Sequence, residues 1–301
     1  MLRLSACLGA AFLCAVAVAC GGVQYPPAEP FVDPPGKAPA SSTGPRLILR
    51  LMTVSITARG SDALRQLPDV SVYEGGLVIA RQPGDHGPML PRLPLVSLRI
   101  SDGSVKQALE RARDRAMTVK TAISLATPGL AGGDVTRFEL TQRGRRHVAR
   151  VSNITDADAE PRWRRREFLD FAILLRDIAA WSEKTEPPGS YTPTRAAVLS
   201  EEAPESEGGQ GGTQPEWSSS LGTPIKHFPR VTCSVLTGEE MARAEQALSS
   251  QRGPFRAPGS SKLVRVWIRP LLPDEATCED LIKTTYGPQQ AEEWKTPAHE
   301  G

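Results

Sequence analysis

The chain has 301 residues, a formal net charge of +2, 40% hydrophobic residues and 27 prolines. This length allows one large domain or two small ones. The nearly balanced charge gives no reason to expect nucleic acid as a partner, because affinity for nucleic acid depends on clustered positive charge. The sequence contains no nucleotide- or dinucleotide-binding motif, so no cofactor is predicted.

The first 19 residues have the pattern of a secretory signal. A single cation, Arg3, precedes an apolar run from Leu4 to Ala19 that ends in small residues. The string Ala17-Val18-Ala19-Cys20-Gly21 resembles a bacterial lipoprotein cleavage box, in which the cysteine becomes the acylated first residue. A transmembrane helix needs about 20 apolar residues, and this run is shorter. The sequence therefore predicts a lipoprotein signal peptide over residues 1–19 and lipidation at Cys20.

Lipidation would place the protein at the cell membrane, on its extracytoplasmic face. Stable anchoring takes two or more acyl chains, which a lipoprotein cysteine carries. Cleavage without lipidation stays open as an alternative, because Ala17 stands where the box prefers Leu. Residues 20–45 follow, and their many prolines predict a semi-rigid tether.

Residues 46–200 show the periodicities of an α+β region. Alternating apolar residues predict a strand at 47–52, a hairpin at 70–79 around Glu74-Gly75-Gly76, and a strand at 95–100. Ser101 then predicts the N-cap of a helix. The apolar stripe of that helix consists of Val105, Ala108, Leu109, Ala112 and Ala116.

A second hairpin and a long helix complete this region. The hairpin runs from Phe138 to Val151 and turns at Gly144, and the helix opens at Pro161. We expect the helix to be largely buried, since its apolar residues cover more of the helix surface than one narrow stripe. These residues are Phe168, Leu169, Phe171, Ala172, Ile173, Leu174, Leu175, Ile178 and Ala179.

The rest of the chain repeats the same kind of unit. Residues 201–220 are acidic and rich in Gly and Ser, which predicts a flexible linker. Residues 221–287 predict a second α+β region packed with the first, with strands at 231–236 and 264–269 around a helix with Met241, Ala244 and Leu248 on one face. Residues 288–301 predict a flexible tail. The predicted fold class is α+β, with antiparallel sheet and strand–capped helix units.

Cysteine usage agrees with an exported protein. Cys7 and Cys14 leave with the signal and Cys20 carries lipid, so Cys233 and Cys278 remain. An even pair in an oxidising compartment predicts a disulfide, although two free buried thiols stay possible. Two cysteines without a nearby second pair of ligands do not indicate a zinc site.

Three stretches resemble an uncharacterised family of exported lipoproteins from high-GC Gram-positive bacteria. They are Tyr73-Glu74-Gly75-Gly76-Leu77-Val78-Ile79, then Gly87-Pro88-Met89-Leu90-Pro91-Arg92-Leu93, then Cys233 and Thr237-Gly238 followed by Arg269-Pro270-Leu271-Leu272-Pro273-Asp274-Glu275 and Cys278. The similarity covers most of residues 45 to 280 and fails over 118–160. The family has no established activity or ligand, so the resemblance implies export and anchoring and favours pairing of Cys233 with Cys278.

No catalytic constellation is evident in the sequence. The histidines His86, His147, His227 and His299 are scattered, and Asp85-His86 lies in a Gly/Pro-rich stretch typical of a solvated loop. Four cations, Arg162, Arg164, Arg165 and Arg166, begin the long helix, and nearby carboxylates favour a solvated face over contact with anionic lipid or wall polymer. Trp163 and Trp181 stand at the two ends of that helix, where core packing is the usual role and a ligand surface the alternative.

The favoured function is therefore not enzymatic: a lipid-anchored binding or structural module of the cell envelope, whose partner is another envelope protein or a wall component. An alternative is a secreted-peptidase inhibitor, because the Gly-turn hairpin followed by a strand and a capped helix resembles small secreted inhibitor domains of bacterial metalloproteases. An exposed loop at 81–92 would then block a protease cleft. A third hypothesis is an unrecognised hydrolase, which would have to join His86, His147 or His227 with carboxylates in a pocket.

Overall fold

The computed structural model describes residues 44–55, 58, 60–82, 95–115, 123–125, 133–156, 162–208, 214–225, 228–250 and 253–287. These residues belong to one compact unit. They contain thirteen strands in two sheets, together with six α-helices, and the α+β class is confirmed. The predicted signal peptide, Cys20, most of the tether and the predicted tail lie outside the described residues.

The first sheet has eight strands. They are β1 (Leu47–Ser55), β2 (Val70–Tyr73), β3 (Leu77–Arg81), β4 (Leu95–Ile100), β5 (Ile123–Leu125), β6 (Asp134–Gln142), β7 (Arg145–Ser152) and β8 (Lys184–Ser190). Their order across the sheet is β5-β7-β6-β1-β2-β3-β4-β8. All neighbours are antiparallel except β5 and β7, which are parallel.

The second sheet has five antiparallel strands. They are β9 (Arg195–Glu202), β10 (Thr223–Ile225), β11 (Phe228–Thr237), β12 (Phe255–Arg256) and β13 (Leu263–Pro270), in the order β10-β11-β9-β13-β12. The helices of the two regions are α1 (Ser61–Leu64), α2 (Asp102–Asp114), α3 (Arg162–Arg176), α4 (Ile178–Trp181), α5 (Gly238–Ser250) and α6 (Cys278–Tyr286).

Helices α2 and α3 cover one face of the first sheet and enclose the largest apolar core with it. Phe138 of β6 lies at the centre, with ring centroids 5.2 Å from Phe168 and 5.6 Å from Phe171 of α3. Leu49 and Leu51 of β1 join this core. Leu47 instead packs with Tyr73 on the other side of the sheet, because the register shifts between Leu47 and Leu49.

The prediction that the long helix is largely buried is wrong. One face of α3 is buried, including Phe168, Phe171 and Leu175, whereas Trp163 is 66% and Ile173 54% exposed. The helix lies on the outside of the sheet, so only the residues that face the strands are covered. The apolar residues of α3 that do not face the strands, such as Ile173, are therefore exposed to solvent.

Several local predictions are confirmed. The hairpin between β2 and β3 turns through Gly75 and Gly76, both with positive φ, and a side chain on Gly76 would overlap the carbonyl oxygen of Ile100. Ser101 caps α2, its hydroxyl accepting a hydrogen bond of 3.3 Å from the amide of Ser104. The hairpin of β6 and β7 turns at Gly144, as expected.

The second sheet is covered on both faces. Helix α5 packs on one side with Val198, Leu236 and Val266. Helices α1 and α6 pack on the other side, where Leu64 and Leu281 meet Leu199 and Cys233. The central strand β9 therefore has apolar residues on both faces, which removes the alternation by which a half-buried strand is recognised.

The segment predicted as a linker over 201–220 differs from that expectation at both ends. Glu201 and Glu202 belong to β9 and pair with β13. Trp217 is buried and meets the ring of Phe255 at a centroid distance of 5.1 Å. The reason is that β9 lies between β11 and β13, so its acidic end is held by backbone pairing. Residues 209–213 lie outside the described residues.

No helix in the part of the chain that the structure describes is long and apolar enough to span a bilayer.

Candidate functional site

The face of the first sheet opposite α2 and α3 is polar near its centre. Because successive strand residues point to opposite faces, Arg50 points away from the core that contains Leu49 and Leu51. The register places Arg50 beside Glu139, and Arg137 beside Arg150. We call this surface the arginine face, and it consists of Arg50, Arg137, Glu139, Arg146 and Arg150.

Helix α6 lies over the arginine face and links it to the second sheet. Nη1 of Arg50 donates to the hydroxyl of Thr284 at 3.2 Å, and Nη1 of Arg137 donates to the carbonyl of Thr285 at 2.9 Å. On its other side α6 inserts Leu281 into the core of the second sheet. A capping box of Thr277 and Asp280 begins the helix and satisfies its first amides.

Arg50 is the best-satisfied charge of the arginine face. It is 1% exposed, and its Nη2 donates to both carboxylate oxygens of Asp274, at 2.7 and 3.0 Å. The hydroxyl of Tyr73 donates to the same carboxylate at 2.8 Å, and Nε of Arg50 donates to Ser71 at 3.1 Å. Burial raises the pKa of Tyr73 well above its usual value, and the Asp274 carboxylate raises it further. Tyr73 therefore stays a neutral donor.

A second buried ion pair flanks Asp274 in the chain, with Arg269 five residues before it and Glu275 directly after it. Arg269 and Glu275 are 1% and 0% exposed, and two hydrogen bonds of 2.6 and 2.9 Å join them. Glu275 also accepts a hydrogen bond of 2.9 Å from the amide of Leu272. Burial disfavours the charged form of Glu275, but Arg269 outweighs burial and holds the pKa of Glu275 below its ordinary value.

These contacts assign a structural role to the string from Arg269 to Glu275. Leu271 packs in the core of the second sheet, whereas Leu272 packs with Leu47 and Tyr73 of the first. Asp274 then reaches Arg50, so the string alternates between the two sheets. Breaking a buried ion pair of this kind costs about 3 to 5 kcal/mol, because the remaining charge stays buried.

The other end of the arginine face has more positive than negative charge. Glu139 pairs with Arg146 at 2.6 Å. Burial alone would raise the pKa of Glu139, but Arg146 and Arg50 outweigh it and lower that pKa to about 2. Asp274 pairs with Arg50 and Glu275 with Arg269, so Arg137 and Arg150 form no salt bridge among the residues that the structure describes, although Glu139 lies near enough to favour the charged form of Arg137.

The disulfide between Cys233 and Cys278, predicted from the cysteine count, is present in the structure. It joins β11 to the first residue of α6, and the two Cα atoms lie 6.1 Å apart. Because α6 also covers the arginine face, the bridge fixes the helix that connects the two sheets.

The histidine pocket that the hydrolase hypothesis would require falls mostly outside the described residues. His147 lies on β7, opposite Leu140 of β6, while His86, His227 and His299 fall outside the described ranges, as does Cys20. Within those ranges no group of three His, Cys, Asp or Glu side chains is arranged to hold a metal ion.

The basic cluster at the start of α3 divides into exposed and buried members. Arg162 and Arg166 are exposed, and Arg166 pairs with Asp170 at 3.4 Å. Arg165 is instead buried and donates to the carbonyls of Ser152 and Leu125, so a solvated face is the wrong prediction for this residue. Its spacing of three from Phe168 places it on the buried side of the helix.

The two tryptophans lie in different environments. Trp163 is exposed, whereas Trp181 packs against the main core and donates its indole N–H to the carbonyl of Leu174 at 2.7 Å. The structure therefore gives Trp181 the expected core role and leaves Trp163 at the surface.

The arginine face itself was missed by sequence reasoning. A signal exists, because Arg50 is the one polar residue of the predicted strand at 47–52. A charge in such a strand either faces water or finds a buried partner, and the partner Asp274 is too distant in the chain to be identified by spacing.

Comparison of the chain with protein-family profiles, curated proteins and solved structures finds no match.

Proposed function

We propose that the protein is a lipid-anchored binding module on the extracytoplasmic face of the cell membrane. The observation that carries this proposal is the disulfide between Cys233 and Cys278 in a chain that starts with a lipoprotein-type leader. Disulfides persist in oxidising compartments and are rare in the cytosol. The leader and the bridge are independent features, and both favour export.

The buried charges favour binding over catalysis, because they form ion pairs that stabilise the fold. The pair Arg50–Asp274 joins the first sheet to the connection that follows β13, and the pair Arg269–Glu275 fixes that connection to the second sheet. Such a body is preorganised, and preorganisation lowers the entropic cost of binding a partner. The partner is another envelope protein or a wall component, in keeping with the resemblance to exported lipoproteins.

The anchoring part of the proposal is tested by replacing Cys20. The wild-type chain is expected in the membrane fraction after a high-salt wash, and a Cys20→Ala variant is expected in the soluble or secreted fraction. Cys14→Ala is the matched control, because it removes a cysteine of the leader without touching the acylation position. A Cys20→Ala variant that stays in the washed membranes contradicts the proposal.

The binding part is tested by crosslinking on intact cells, followed by identification of the proteins that copurify with the wild-type chain. Envelope proteins are expected, and their recovery should fall for Cys20→Ala, which no longer concentrates at the membrane. Recovery of cytosolic proteins alone contradicts an extracytoplasmic binding role.

A peptidase inhibitor is the second candidate. It is favoured by the order of β2, β3, β4 and the capped helix α2, which is the arrangement expected for that alternative. Addition of the purified chain to metalloproteases secreted by the same cells should then lower their activity. Unchanged protease activity rejects this candidate.

A further inference from the structure

Arg150 of β7 has one guanidinium nitrogen without a partner. The side chain as a whole is half-buried, but its Nη2 atom is inaccessible and has no hydrogen-bond partner, and no ion pair engages the residue in the described part of the chain. Buried polar atoms are normally hydrogen-bonded, and leaving one without an acceptor is costly. A ligand that supplies the missing acceptor would remove this cost.

A second guanidinium group lies directly beside it. Arg137 is the cross-strand neighbour of Arg150, and like charges opposite each other destabilise a sheet. Arg137 is 4% exposed, and its Nε has no partner although Nη1 bonds to Thr285. Burial is the main reason that the pKa of Arg137 falls to about 9; Glu139 favours the charged form, while Arg146 and Arg150 oppose it. Neither Arg137 nor Arg150 forms a salt bridge with a carboxylate among the described residues.

The two groups converge on the backbone of Gly287, where the chain leaves α6. A Cβ atom on Gly287 would lie 2.8 Å from Nη2 of Arg150 and 3.6 Å from Nη1 of Arg137. Gly287 has a φ of 90°, which disfavours any other residue. Because Gly287 has no side chain, the nitrogens Nη2 of Arg150 and Nη1 of Arg137 both lie close to the same position beside its backbone.

We propose that Arg137 and Arg150 bind a small oxyanion of the phosphate or carboxylate class beside Gly287. The planar guanidinium group matches the geometry of such anions and donates two hydrogen bonds at once. Glu139 lies on the same face, but Arg146 holds it at 2.6 Å, and Asp274 is held by Arg50 at 2.7 Å. These carboxylates are thus already paired and leave the charge of Arg150 for a ligand. This inference goes beyond the anchored binding role and does not depend on it.

The test measures thermal unfolding of the full chain in a nonionic detergent as inorganic phosphate is raised. Sodium chloride is lowered in parallel so that ionic strength stays constant. A ligand of the folded state raises the melting temperature by mass action, so phosphate should raise it for the wild-type chain. In Arg150→Gln the apparent phosphate affinity should fall by about tenfold or more, the value of one charge-assisted hydrogen bond.

Arg150→Gln is suitable because the replacement breaks no hydrogen bond or ion pair to the described residues, so the variant should fold. The matched control is Arg145→Gln, which removes an exposed arginine from the same strand and should leave the phosphate response unchanged. An equal response in wild type and Arg150→Gln overturns the proposal. So does a wild-type melting temperature that phosphate does not change.

Two further arms identify the source of the anion. Acetate in place of phosphate tests a carboxylate, and an Arg150-dependent response to either anion supports the proposal. Flotation with vesicles that contain phosphatidylglycerol tests a lipid headgroup. Vesicle binding that depends on Arg150, without a response to free phosphate or acetate, overturns the proposal in favour of a membrane surface.

Discussion

Arg50 of the first sheet donates to both carboxylate oxygens of Asp274, a residue 224 positions later in the chain. This contact ties the first strand to the connection between β13 and α6. Asp274→Ala should therefore lower the free energy of unfolding by about 3 to 5 kcal/mol, because Arg50 would remain buried without a counterion. Urea unfolding of the two proteins measures the difference.

The matched control is Glu74→Gln, which breaks the exposed ion pair with Arg46 at 3.0 Å. Exposed pairs contribute less than about 1 kcal/mol, so this variant should remain near the wild type. The double variant Arg50→Met/Asp274→Leu should recover most of the lost stability, since it removes both buried charges. Equal stability of Asp274→Ala and Glu74→Gln contradicts a structural role for the pair.

Stability should depend on pH through Glu139. The pKa of Glu139 is about 2 in the folded protein, below its model-compound value of 4.5, so the folded state favours the ionised form. A lowered pKa contributes stability above pH 4.5 that is lost as the pH falls from 4.5 through 2. The shift corresponds to about 3 kcal/mol. Urea unfolding across this pH range should show a steeper loss for the wild type than for Glu139→Gln, and equal slopes contradict the assignment.

Reduction of the disulfide should destabilise the protein. Cys233 and Cys278 are 45 positions apart, and closing a loop of that length stabilises the folded state by about 4 kcal/mol in the chain-entropy model. The melting temperature of the wild type should therefore fall in dithiothreitol. The variant Cys233→Ser/Cys278→Ser should melt at the lower temperature with or without the reductant. A wild type that dithiothreitol does not affect contradicts the bridge.

Two glycines with nearly the same positive φ should respond differently to replacement by alanine. Gly76 has φ 73° and Gly144 has φ 72°, so each substitution carries the cost of a left-handed residue, about 1 to 2 kcal/mol. At Gly144 nothing lies within 4 Å of the added Cβ, whereas at Gly76 it would overlap the carbonyl of Ile100. Chemical unfolding should show a larger loss for Gly76→Ala than for Gly144→Ala, and the reverse order would contradict the packing of this hairpin.

Local patterns predicted the parts of the fold whose signals are local. Alternation predicted β1, the hairpin of β2 and β3 and strand β4, and the hydroxyl of Ser101 predicted the start of α2. Strand β8 was missed because Pro187 and Pro188 argue against a strand. Prolines are tolerated there because β8 is an edge strand that pairs on one side with β4.

The candidate site was harder to predict because its contacts are not local. The string from Arg269 to Glu275 was recognised only as part of a resemblance, and its role depends on Arg50 and Leu47 far earlier in the chain. The convergence of Arg137 and Arg150 follows from strand register, and the absence of a salt bridge at either arginine, among the described residues, depends on which arginines the fold pairs with the nearby acids. Neither property can be read from spacing.

The position of α6 has a consequence for folding during synthesis. A polypeptide made from its amino terminus contains β1 long before α6, yet Arg50 of β1 completes its bonds only with Thr284 and Asp274. The first strand must therefore stay incompletely packed until the helix α6 has been made. The disulfide between Cys233 and Cys278 can close only after that step, so it secures the contact between β11 and α6 at the end of folding.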